Sequence, residues 1–273
     1  MRTQRVLFMP LGISAAVKTA ILGISLVAPF PPFSRFLAPT VRYFWGELYL
    51  HYPFHLALAG RWFKQTDLLI PIFLEGLLVG ITAALTQYLL LQHPSKPRHA
   101  FAETFRRYPA ITLLTLIDAL VLMFCIHGAI TPLKLGLQKL HVWTHNFFGA
   151  AFIVAVTATI ISAIVEPLFL FSVPACVIEN RGWLSSLLRS FRTAGRAYRW
   201  IFFTVLAVTL CYLPILLIRA EAARLVESPW PESIFLFYLA RILFSWIITT
   251  SLTVWATIYL VRFAVMPSPA ASQ

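Results

Sequence analysis

An all-α, polytopic membrane helix bundle is the fold class this sequence predicts, and three observations predict it. First, 59% of its 273 residues are hydrophobic and 12% charged, with a mean hydropathy of +0.80. A soluble domain carries about a quarter charged residues and could not hide this much apolar surface from water. Second, the apolar residues fall into six runs of the roughly 20 residues needed to cross a hydrocarbon layer as a helix. The alternating pattern of a membrane β-barrel is absent. Third, the net charge of +12 is carried mainly between the runs, where it can meet a negatively charged membrane surface.

In chain order, the first run covers 6–28. Arg2 and Arg5 precede it and small residues lie near Ala28, as in a signal peptide. However, Pro29, Pro31 and Pro32 follow at once and Lys18 sits inside a long run, so a retained signal-anchor is expected. In the next loop Val41, Phe44, Trp45, Leu48 and Tyr52 recur at helical spacing, predicting an interfacial helix on the outer surface. The second run is 68–91. A basic amphipathic segment with Phe101, Phe105 and Tyr108 on one face leads into the third, 108–130. Leu133, Leu137 and Leu140 suggest a short interfacial helix before the fourth run, 147–171. The fifth is 200–218. The sixth, 234–265, is long enough to require tilt or to project from the bilayer. Residues 266–273 form a tail, and 1–265 reads as one integral membrane domain.

Loop lysines and arginines orient the bundle. Lys96, Arg98, Arg106 and Arg107 follow the second span; Arg181, Arg189, Arg192, Arg196 and Arg199 follow the fourth. Two spans separate these groups, so both belong on one side, expected to be cytoplasmic. Both termini then lie inside, as in a bacterial inner-membrane protein. The loop after the third span has just Lys134 and Lys139; in the one after the fifth, Glu221, Glu227 and Glu232 outnumber Arg219 and Arg224. The first loop, with Arg35, Arg42, Arg61 and Lys64, dissents, but it is long and weighs less.

Residues 178–200, "IENRGWLSSLLRSFRTAGRAYRW", form the densest basic stretch. On a helix at 100° per residue, Trp183, Leu184, Leu187, Leu188, Phe191, Gly195 and Tyr198 occupy one broad face. Arg189, Arg192, Arg196 and Arg199 gather on another. This predicts an interfacial helix N-capped by Asn180. Its apolar face enters the acyl boundary or packs under the bundle, and its arginines contact lipid phosphates or an acidic partner. Span, basic segment, span thus occurs twice, offset by about 86 residues. The stretch resembles a segment of bacterial six-span proteins similar to the membrane domain of glycerophosphodiester phosphodiesterases, on Glu179, Gly182, Ser190 and Arg192, mostly within 169–200. In that group catalysis belongs to a separate soluble domain, so the resemblance implies a membrane module and not an enzyme.

Ionisable side chains inside the bilayer are costly and are functional candidates by default. Here they are Lys18, Glu75, Asp118, Glu166 and Arg241. Depth along the spans pairs Lys18 with Asp118 and Glu75 with Arg241, and brings Glu166 toward the arginines of the basic helix. Pro167 frees a carbonyl in the fourth span, a break of the kind that can line a cavity. His51/His55 and His141/His145 have the i, i+4 spacing of metal or haem ligands, but no carboxylate accompanies either pair and Pro53 interrupts the first. No metal or cofactor is therefore expected. Cys125, Cys176 and Cys211 read as small core residues. There is no H-E-x-x-H, G-x-S-x-G, phosphate loop or nucleic-acid signature. The leading expectation is a non-enzymatic accessory or assembly subunit, or a lipid-interacting scaffold, of a membrane complex. The alternative is a small permease using the intramembrane charges. A water-accessible cavity reaching Asp118 would favour the permease; a dry bundle with paired charges would favour the subunit.

Overall fold

The computed structural model describes residues 2–58, 69–92, 97–139, 147–211, 213 and 230–265. These are 89% helical and contain no strand. The helices are α1 (Arg2–Val27), α2 (Ser34–Trp45), α3 (Gly76–Leu90, entered through a π-helical turn, Pro71–Glu75), α4 (Pro97–Arg106), α5 (Tyr108–Lys139), α6 (Phe147–Phe169), α7 (Ser172–Ile178), α8 (Trp183–Leu210) and α9 (Ser233–Val265). Five segments are long and apolar enough to cross a membrane: Val6–Val27, Pro71–Leu90, Tyr108–Lys139, Gly149–Ile178 and Ser233–Arg262. The chain is thus an all-α bundle compatible with an integral membrane protein. The expected span 200–218 begins as the second half of α8; its remainder lies largely outside the described residues.

The centre is built by α3 and α7. In an 18-residue window of Pro71–Leu90, 56% of the residues are buried within the protein, against 11% in one of Tyr108–Lys139, so α3 is a core helix and α5 a flanking one. Close packing around α3 depends on missing side chains. A Cβ on Gly76 would meet Thr115 Cγ2 at 2.6 Å, and one on Gly80 would meet Thr104 Cγ2 at 2.7 Å. This four-residue repeat of small residues lets helices approach where lipid supplies no hydrophobic drive between them. Residues 172–177 of α7 are all buried. Leu78, Ile81, Ile111, Leu114, Val173 and Val177 share one apolar cluster with Leu11 of α1. A second cluster joins α6 and α7 to α8 and α9 through Phe171, Ala194, Ile201 and Leu260.

Several expected elements change shape. α2 forms, but Gly46 ends it with φ +93°, and a 3₁₀ turn, Glu47–Leu50, follows, so Leu48 and Tyr52 do not extend its face. The short interfacial helix around Leu133 and Leu137 does not exist: α5 runs through Pro132 to Lys139. Proline there removes one ladder bond without ending the helix, as membrane helices tolerate; Leu140 lies outside the described residues. Asn180 does not N-cap α8. It sits one residue past the C-cap of α7 with φ +56°, the left-handed conformation that asparagine tolerates at a helix end, and Gly182 precedes α8.

The basic helix turns a different face to the protein from the one its apolar pattern suggests. Ser186, Ser190, Thr193 and Ala194 are the buried positions of its first half. Ser190 Oγ donates to the Leu168 carbonyl, and Tyr198 Oη to the Ile164 carbonyl at 3.0 Å. Small hydroxyl residues permit this close contact with α6; larger ones would hold the helices apart. Trp183, Leu184, Leu188 and Phe191 remain exposed beside the arginine face. At Ala197 (φ −125°, ψ 22°) the helix kinks. The surface half ends there and the half continuing toward the fifth predicted span begins.

Candidate functional site

A cavity of about 620 Å³ lies between α3, α5, α6, α7 and α9. Each wall follows from helical spacing. Leu114, Asp118, Leu122 and Ile126 repeat at four residues along α5. Pro71, Glu75 and Val79 do the same through the π turn and into α3, while Thr249, Leu252 and Thr253 come from α9. The remaining wall is the break between α6 and α7: Phe169, Leu170, Ser172 and Val173 line it. Pro167 lacks the N–H that would bond the Ala163 carbonyl, and the helix stops at Phe169. The chain turns at residues 170–171 and resumes as α7. A discontinuous membrane helix therefore borders the cavity, with a π-helical turn opposite. Thr115 Oγ1 lies within hydrogen-bond distance of the Ile72, Ile111 and Thr112 carbonyls (3.0–3.1 Å), fastening α5 to that turn.

Three acids line the space: Glu75, Asp118 and Glu166. Lys18 Nζ lies 2.6 Å from Glu75 Oε1, and Ser14 Oγ donates to the same oxygen at 2.6 Å. Lys18 is 8% exposed. Asp118 and Glu166 form no ion pair or side-chain hydrogen bond among the described residues, and Asp118 Oδ1 is shut off from solvent. Both carboxyls line the same cavity. Asp118 is ten residues, about 15 Å, into α5, about half a 30 Å hydrocarbon layer from that helix's basic end.

This corrects the pairing expected from depth. Lys18 binds Glu75 and not Asp118; Glu75 is held by Lys18 and Ser14 in place of Arg241. Arg241 is half-buried on α9. Depth along a single helix does not say which side faces a neighbour, and Lys18 and Glu75 face each other where α1 crosses the π turn. Glu166 likewise forms no ion pair with an arginine of the basic helix among the described residues, although that helix packs on α6 at Ile164 and Leu168. It lines the cavity with Asp118 instead. The acid at the basic end is Glu179, ion-paired with Arg181 and with Arg189, whose Nε is 3.0 Å from Oε1. Arg107 Nη1 donates to the Cys176 (3.3 Å) and Arg181 (2.8 Å) carbonyls, a cation at the negative end of α7. Of the four arginines of the basic face, Arg189 is half-buried in this network, whereas Arg192, Arg196 and Arg199 are exposed.

Among the described residues no three His, Cys, Asp or Glu side chains are grouped to hold an ion. His51 is exposed, while His55 is buried between Phe30 and Tyr52 at ring distances of 6.1 and 5.9 Å. Burial lowers the His55 pKa against the opposing pulls of the His51 carbonyl and Glu232. Tyr52 Oη donates to Glu232 at 2.9 Å, and this bond raises the phenol's pKa. His141 and His145 lie outside the described residues. His127, at the far end of the cavity, faces its Met123 carbonyl through Nδ1 at 3.2 Å. Its nine-residue separation from Asp118 places it two and a half turns along the same helix, near the end of the third expected span.

No family model, curated protein or solved structure matches this chain.

Proposed function

We propose that this protein is a small, non-enzymatic permease whose solute passes the Asp118–Glu166 cavity. One observation carries the reading: two carboxyls, without a cationic partner among the described residues, line a cavity of about 620 Å³ between five helices. Two negative charges in an apolar site need compensating positive charge, supplied by protons or by a cationic solute. A site that alternates between the two can couple their movement. The broken α6–α7 segment and the π turn support this, because irregular backbone at membrane depth persists where it lines a cavity. Lys18–Glu75, by contrast, is a closed pair that neutralises one wall. In this proposal both termini face the cytoplasm of a bacterial inner membrane, and Arg192, Arg196 and Arg199 meet anionic lipid. The remaining expectation, an accessory subunit or scaffold, is supported by the large uncovered apolar flank of α5.

The test uses Thr253→Cys, a small buried change on the cavity wall, with Cys125, Cys176 and Cys211 replaced. Membrane vesicles are treated from either side with a cationic or an anionic methanethiosulfonate. The permease reading expects labelling from both sides and faster reaction with the cationic reagent, a preference that Glu166→Gln reduces. No labelling, or equal rates with the two reagents, refutes it.

A further inference from the structure

Resting on the permease reading, we infer that the cavity takes a lipophilic organic cation, such as a protonated amine or an onium ion, that reaches it from the bilayer. Size and chemistry of the walls carry this. At about 620 Å³ the space is of the order that encloses an organic ligand, and far larger than a bare ion requires. Leu114, Leu122, Ile126, Phe169 and Leu252 supply apolar wall, which can neither coordinate nor rehydrate a metal cation. Of the lining side chains, the acids are Glu75, Asp118 and Glu166, and no lysine or arginine is among them. Asp118 and Glu166 attract a cation, and Lys18 is already held by Glu75. One organic cation and one proton neutralise the two acids together.

The route follows from a second recess of about 500 Å³. Leu120, Val121, Met123, Phe124 and His127 line it, and it shares Met123 and His127 with the cavity. Phe124 is 79% exposed on the uncovered flank of α5. The recess borders the acidic cavity at Met123 and His127 and opens on a surface that, in a membrane, faces acyl chains. In this inference an amphiphilic cation dissolved there passes that border until its charge meets Asp118 and Glu166.

The test is binding of tetraphenylphosphonium to the purified full-length protein in dodecyl maltoside, by equilibrium dialysis. The uncharged-acid variants Asp118→Asn and Glu166→Gln are compared with it. Tetraphenylborate, the anion of the same shape, controls for apolar partition. Saturable binding near one per chain, weakened at least about tenfold in either variant and absent for the borate, supports the inference. Should the acid variants fail to fold, an arm with both acids intact remains: tetraphenylphosphonium must protect Thr253→Cys from the cationic thiol reagent. Equal uptake of both ions, or no protection, overturns the organic-cation assignment. If there is no binding but charge-selective labelling of Thr253→Cys persists, the permease reading stands and its solute is a small inorganic cation or a proton. If both fail, both readings fall.

Discussion

Removing one partner of the Lys18–Glu75 pair should destabilise the bundle far more than removing both. The ammonium and carboxylate are 2.6 Å apart, with side chains 9% and 18% exposed. At an effective dielectric of about 20 their attraction is about 6 kcal/mol, and desolvating the two ions offsets most of it. Lys18→Met strands a carboxylate against α1; Glu75→Gln strands an ammonium. Each should cost about 3–5 kcal/mol. In the double variant neither charge remains, the Met stem fills the lysine's path, and the glutamine oxygen still accepts from Ser14, 2.6 Å away in the wild type. That change should cost at most about 2 kcal/mol, giving a coupling energy of several kcal/mol. The assay is denaturation in dodecyl maltoside followed by far-UV circular dichroism for wild type, both single variants and the double. Losses that add to within about 0.5 kcal/mol would refute the argument, because the two charges would then be solvated separately.

Two further outcomes follow from the packing and the basic helix. Gly76→Ala should destabilise by about 1–3 kcal/mol despite alanine's better helix propensity, because its Cβ meets Thr115 Cγ2 at 2.6 Å; Thr115→Ser, which removes that methyl and keeps the hydroxyl, should recover most of the loss in the same melts. Replacing Arg192, Arg196 and Arg199 together with glutamine should weaken binding of anionic over zwitterionic lipid, each arginine contributing about 1 kcal/mol, with thermal stability unchanged; Arg189→Gln should do the reverse, since it removes a partner of Glu179. Native mass spectrometry of retained lipid, alongside thermal melts, separates the two.

Much of the fold was legible because membrane crossing is a local property. The apolar runs at 6–28, 68–91 and 234–265 stand close to helices seen in the structure, and the polar residues singled out inside the runs include all three acids of the cavity. What was misread depended on neighbours. The third run was ended at residue 130 with a separate short helix after it, but α5 passes through Pro132 to Lys139. The large apolar residues of α8 looked like its packing face, yet serine, threonine and alanine carry the contact because they let backbones approach. Gly76 and Gly80, four residues apart, were the sequence signal for that same close packing around α3.

The sequence by itself determined that the chain is a helical membrane bundle, and that five charged side chains lie where charge is expensive. Transfer free energy depends on composition along a segment, so these conclusions need no partner. Which charges meet was decided by tertiary structure alone. Lys18 closes on Glu75 because α1 crosses the π turn, and Asp118 and Glu166 come to one cavity because α5 and α6 pack side by side. Helix rotation and crossing set those juxtapositions, and both are fixed by packing between elements distant in sequence. The pairing turned Glu75 into a structural counter-ion and left Asp118 and Glu166 together on the wall of a cavity between the helices.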